Sequence, residues 1–108
     1  MKKAKRRYLA LKIDSMERFN AKEFIDCVWN AILKLYGEYG ASQTGLTLID
    51  YDDERQLAVI RILHTALKMV RASIATITEI SGKPASIHIL TVSGTIKALN
   101  KRTEKANQ

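Results

Sequence analysis

The chain has 108 residues, 46% hydrophobic and 27% charged, which suits one globular domain with a single buried core and leaves no room for two. Its apolar runs are short and broken by Lys, Asp or Arg, and no apolar stretch follows the basic first residues; this argues against a membrane span or a secretory signal and for a cytoplasmic protein. The formal net charge of +7 is unevenly placed. Residues 1–7 hold Lys2, Lys3, Lys5, Arg6 and Arg7 and no acid, residues 97–108 hold Lys97, Lys101, Arg102 and Lys105 against Glu104, and the stretch between them has nine bases and ten acids. Basicity confined to the two ends points to a polyanion, and without an amphipathic membrane helix that polyanion is nucleic acid; the plainer alternative is a pair of solubilising tails. One cysteine, Cys27, can form no internal disulfide and lies in an apolar helical pattern, where a lone thiol acts as a small buried hydrophobe.

In chain order, a basic tail over 1–6 precedes a single domain over 7–100, and a basic frayed tail covers 101–108. Arg7 to Asp14 alternates, with Leu9, Leu11 and Ile13 on one face, which predicts a first strand with one buried side. Asn20 followed by Glu23 forms a capping pair, and Gly37 ends the pattern, so a helix is predicted over 21–36. Phe24, Cys27, Val28, Ala31 and Leu35 suffice to cover a sheet. That leaves Ile25, Trp29, Ile32, Leu33 and Tyr36 as a second apolar stripe, which a helix on a two-layer domain does not need for its own core.

The loop over 37–43 returns the chain to a hairpin within Thr44–Leu63, whose two strands fold about an acidic turn at Asp52, Asp53 and Glu54. A second helix is predicted over 65–80, with Ala66, Met69, Val70, Ser73, Ile74 and Ile77 inward and His64, Lys68 and Arg71 along its outer stripe. Ser81 to Pro84 make a stop and turn. Ser86 to Val92 alternates again as a fourth strand, and the residues from Ser93 onward can form a short C-terminal helix burying Ile96 and Leu99.

Strand, helix, strand, strand, helix, strand is the ferredoxin-like order. It predicts an α+β two-layer sandwich: a four-stranded antiparallel sheet with both main helices on one face, strands one and three central, and strand four beside strand one. That topology brings Arg6, Arg7, Arg61, His64, Lys68 and Lys97 to one end. It sends Asp14, Glu17, Glu23, Asp50, Asp52, Asp53 and Glu54 to the other.

No catalytic set emerges. His64 and His88 sit on different elements without a Cys or Asp at a recognisable spacing. Asp50, Asp52 and Asp53 lack the glycine and distal glutamate of a calcium loop, and the loop containing Gly37 and Gly40 lacks the spacing of a phosphate loop. The sheet offers Leu57, Val59 and Arg61 outward on strand three and only Tyr8 on strand one. Base stacking of single-stranded RNA is therefore not expected, and phosphate contact by Arg and Lys remains. The outward apolar residues Leu57, Val59 and Leu90 call for a cover, either the C-terminal segment or another protein.

Four stretches, Arg7-Tyr-Leu-Ala-Leu, Ile60-Arg61, Val70-Arg71-Ala72 and Val92-Ser-Gly-Thr-Ile-Lys97, together resemble those of archaeal ribonuclease P protein component 2, a family shared with eukaryotes. They span nearly the whole chain, and the last is the most specific. The resemblance implies an RNA-recognition-motif-like (RRM-like) fold and a non-catalytic subunit in the enzyme that removes the 5′ leader from precursor tRNA. It also implies a catalytic ribonuclease P RNA that holds the Mg2+ ions, no cofactor in the protein, and pairing with a TIM-barrel-like protein subunit, with room for a homodimer inside a heterotetramer. Carried over by position, Arg61, Arg71 and Lys97 contact RNA; the charge distribution adds Lys5, Arg6, Arg7, Lys68, Lys101 and Arg102. The stripe of Ile25, Trp29, Ile32 and Tyr36 is the candidate partner surface, although the resemblance does not assign it. Two other readings stand beside this one: a ferredoxin-like small-molecule-binding regulatory dimer, and another structural RNA-binding protein.

Overall fold

A computed structural model describes residues 5–95 of the chain. The expected tail over 101–108, the short C-terminal helix, and Lys97, Lys101 and Arg102 lie outside the described residues, as does most of the tail over 1–6.

Strand β1 (Arg6–Asp14) leads to helix α1 (Ala21–Ser42), a hairpin of β2 (Thr47–Asp52) and β3 (Leu57–Leu63), and a 3₁₀ turn (His64–Ala66) that opens directly into helix α2 (Leu67–Ala75). A two-residue-per-strand hairpin, β4 (Glu79–Ile80) and β5 (Lys83–Pro84), precedes the last strand, β6 (Ser86–Ser93). The main sheet has the order β2-β3-β1-β6 with every pair antiparallel, as the ferredoxin-like arrangement requires.

The alternation in β1 and β3 decides which face is buried. Leu9, Leu11 and Ile13 with Ala58, Ile60 and Ile62 meet Phe24, Val28 and Ile32 of α1 and Val70 and Ile74 of α2 in one apolar core. The buried row on α1 therefore steps by four residues, Phe24, Val28, Ile32. This corrects the expected stripe: Ile32 is 0% exposed and belongs to the core, whereas Leu35, expected inward, lines an open groove between α1 and residues Thr76–Glu79.

Helix boundaries differ from expectation for two physical reasons. Gly37 (φ 74°, ψ −179°) breaks the helical path without ending it, and α1 resumes to Ser42, burying Ala41. Helix α2 stops at Ala75, short of residue 80, as Thr76 Oγ1 donates to the Ser73 carbonyl at 2.7 Å and the β-branched run Thr76-Ile77-Thr78 favours extended backbone. Ser81 (φ 52°) and Gly82 (φ 78°) then turn the small β4–β5 hairpin, with positive φ at both central positions as tight hairpin turns prefer.

Candidate nucleic-acid interface

The antiparallel register gathers the cations. Arg6 of β1 stands opposite Leu63, the last residue of β3, and Tyr8 stands opposite both Arg61 of β3 and Ser93 of β6. The start of β1 and the ends of β3 and β6 therefore share one end of the sheet. Because the 3₁₀ turn follows β3 without a loop, His64 and the first turn of α2 begin there too. His64 fixes the entering chain: its backbone N–H donates to the Lys5 carbonyl at 2.9 Å, and its Nδ1 lies 3.2 Å from the same oxygen. Arg7 Nη1 donates to the Arg6 carbonyl at 3.0 Å. Lys5, Arg6, Lys68 and Arg71 are exposed, while Arg7 and Arg61 are half-buried.

Among the described residues, no ion pair falls at this end. The ion pairs among the described residues are Arg55–Asp52 at 3.9 Å, Lys83–Glu17 at 3.9 Å, and His88–Asp14 at 3.7 Å when the imidazole is protonated. All three belong to the opposite end, where β1 finishes, the β2–β3 turn lies and β6 begins. Lys5, Arg6, Arg7, Arg61, Lys68 and Arg71 have no carboxylate partner among the described residues. Unneutralised cations crowded on one end create a positive potential that attracts polyanions and that salt screens.

Beside those ion pairs, the opposite end is tied by hydrogen bonds around Gln56, which carries no local signal in the sequence. Gln56 is 9% exposed. Its Oε1 accepts from Phe19 N at 2.9 Å, its Nε2 donates to the carbonyls of Phe19 at 3.1 Å and Asp53 at 2.7 Å, and its own carbonyl accepts from Ile13 N at 3.0 Å. Tyr51 Oη adds a 2.5 Å bond to the Phe19 carbonyl, and burial raises the pKa of its phenol. Asp52 Oδ1 accepts from the backbone of Glu54 and Arg55, each at 3.1 Å. This carboxylate shapes the β2–β3 turn.

A Ser86, His88 and Asp14 cluster looks superficially like a hydrolytic triad. Both Ser86 Oγ (3.3 Å) and Asp14 Oδ2 (3.7 Å) approach the same ring nitrogen, Nε2 of His88, whereas a relay needs the nucleophile and the orienting acid on different nitrogens. Cys27 is half-buried, with its Sγ 3.5 Å from the Glu79 carbonyl; burial, reinforced by the charge of Glu79, pushes its thiol pKa up and away from nucleophilic use. No group of three His, Cys, Asp or Glu among the described residues could hold a metal ion, and no helix among them is long and apolar enough to cross a membrane.

On the helix face, Trp29 is 37% and Tyr36 42% exposed, whereas Ile25 is half-buried and packs against the core. Tyr39, beyond the break at Gly37, is 79% exposed. A helix ending at Gly37 leaves Tyr39 out, and the helix resumes beyond the break to carry it. On the outer sheet face, Ala10, Leu57, Val59 and Leu90 line a shallow depression of about 130 Å³ flanked by Asp50 and Asp52.

Comparison with known proteins shows the family. The Rpp14/Pop5 family model matches residues 7–104. Ribonuclease P protein component 2 of Pyrococcus furiosus is 37% identical over 91% of this chain and 82% of that protein. The protein of the same name from Methanosarcina barkeri is 36% identical over 95% of this chain and 73% of its own length. A chain in the cryo-EM structure of yeast ribonuclease MRP superposes with a TM-score of 0.73, covering 100% of this chain and 95% of that one at 21% identity, a likeness of fold. The chain belongs to the Rpp14/Pop5 family of ribonuclease P protein components.

Proposed function

We propose that this chain supports 5′-leader removal from precursor tRNA by binding the catalytic RNA through its basic end and a TIM-barrel-like protein subunit through the exposed face of α1, in the cytoplasm. Catalysis, and the Mg2+ that serves it, belong to the RNA on this reading. The observation that carries it is the set of cations Lys5, Arg6, Arg7, Arg61 and Lys68 at one end, with Arg71 a turn further along α2, none of which has a carboxylate partner among the described residues. Such a surface positions a phosphate backbone without reading its bases. Trp29 and Tyr36, both exposed on α1, supply the aromatic anchors that protein interfaces favour.

Reconstitution tests the proposal. Adding the chain to ribonuclease P RNA and the partner subunit should stimulate precursor tRNA cleavage, and RNA affinity should fall linearly in log–log form with salt. Arg61→Ala combined with Arg71→Ala should lower both affinity and stimulation. A chain that adds nothing to cleavage and whose RNA binding ignores salt would overturn the proposal.

A further inference from the structure

One row of residues crosses all four strands on the outer face of the sheet. Thr47 of β2 stands opposite Arg61 of β3, Arg61 opposite Tyr8 of β1, and Tyr8 opposite Ser93 of β6. On its basic side the row adjoins Arg6 and the His64 turn. On its other side come half-buried Val59 opposite buried Ala10, and then the acids Asp50 and Asp52. Arg61 is thus the cation at the border of the basic end, central among the strands.

Arg61 differs from the other cations there. It is half-buried, and its Nε is covered and has no hydrogen-bond acceptor. It has no ion pair among the described residues. A buried N–H of this kind costs free energy unless something else is gained from holding the side chain in place. With Nε covered, the guanidinium presents Nη1 and Nη2, whose parallel N–H groups match two oxygens of one phosphate in a way an ammonium cannot.

We propose that Arg61 is a pre-positioned bidentate anchor for a single backbone phosphate of RNA, beside the phenol of Tyr8, while Lys5, Arg6, Lys68 and Arg71 act through charge alone. This rests on the RNA-binding reading above and goes beyond it by making one site depend on guanidinium geometry. Phosphate is favoured over the carboxylate of a protein partner because the surrounding cations serve a polyanion and exceed what one carboxylate needs.

Binding of the full chain to ribonuclease P RNA transcript across a salt series separates the two ideas. Arg61→Lys keeps the charge, so the slope of log affinity against log salt should stay as in the wild type. Its affinity should nonetheless fall about tenfold, close to the loss in Arg61→Ala. Lys68→Ala should instead lower the slope by about one, with a smaller loss. Wild-type behaviour of Arg61→Lys would overturn the anchor and leave RNA binding standing, whereas a wild-type chain that does not bind RNA would overturn both. Loss of partner-subunit binding in Arg61→Lys with RNA affinity intact would assign the fork to a carboxylate and also overturn the anchor. The wild-type chain offers a check free of folding effects: the Arg61 Nε–H NMR signal should exchange slowly with water and shift on RNA addition. A fast-exchanging signal that RNA leaves unmoved would count against the proposal.

Discussion

A Cβ placed on Gly40 would stand 2.6 Å from the Cβ of Tyr36, although residues four apart in an unbroken helix keep these atoms about 5–6 Å apart. The break at Gly37, φ 74° and ψ −179°, folds Tyr36 over the next turn, and the hydrogen of Gly40 is what makes room for it. The two glycines therefore do different work. Gly40→Ala should cost about 1–3 kcal/mol through overpacking, because the clashing atom is the root of a side chain and cannot swing away. Gly37→Ala has open space around it and should cost about 1–3 kcal/mol through backbone strain alone, since its φ and ψ lie in a region essentially reserved for glycine. Urea unfolding of both variants checks this; a neutral Gly40→Ala would show that the two turns can separate.

Gln56 ties three segments together, with its side chain bonded to Phe19 and Asp53 and its carbonyl to Ile13. Removing the amide leaves the Phe19 N–H buried without a partner, a cost of about 1–3 kcal/mol. Gln56→Ala should therefore lower the melting temperature by several degrees for a domain of this size. Gln56→Gly should recover part of that loss, since φ at this position is 54° and glycine adopts it freely. Thermal melts of the two variants should rank Gly above Ala; the reverse order would make side-chain packing, not backbone conformation, the remaining constraint.

Periodicity made the sheet legible. Leu9, Leu11 and Ile13 alternate without interruption, and the hairpin strands place Arg61 at the end where β1 begins, so the strand order and the basic end both followed from the residues. Legibility ran out where one residue type can serve two geometries. Gly37 reads as a helix stop, yet here it bends a helix that continues, and so Tyr39 was missed. Ile32 and Leu35 are both apolar and lie close together around the helix axis; which is buried depends on the groove left open at Thr76–Glu79, a tertiary feature. Gln56 carries no local signal, because its partners Phe19 and Ile13 are 37 and 43 positions away in sequence.

Trp29 and Ile32, one turn apart on α1, should separate binding from folding. Ile32 is fully buried and Trp29 is 37% exposed. Ile32→Ala should cost about 2–5 kcal/mol through the cavity it opens, whereas Trp29→Ala should leave stability within about 1 kcal/mol of wild type while weakening association with the partner subunit by tenfold or more. Denaturation midpoints and a pull-down titration check both halves. An unfolded Trp29→Ala protein would place that ring in the core and remove the α1 face as the docking surface.

Glu23 joins the start of α1 to the β4–β5 turn: Oε1 accepts from the Asn20 backbone N–H at 3.0 Å, and Oε2 accepts from Ser81 Oγ at 2.8 Å. The Asn20 bond, followed by the Ser81 bond, holds the carboxyl below its ordinary pKa of 4.5, with burial opposing them and Lys83 adding a small favourable charge. A folded-state pKa below the unfolded one means that the carboxylate stabilises the fold above the unfolded value. That contribution disappears as pH falls through the folded one. Glu23→Gln keeps the shape but has no charge to titrate. The wild-type advantage over Glu23→Gln in melting temperature should therefore be full at pH 7, begin to shrink near pH 4.5, and close as the pH drops further. A gap that stays constant from pH 7 to pH 3 would show that the two bonds favour the neutral side chain as much as the charged one.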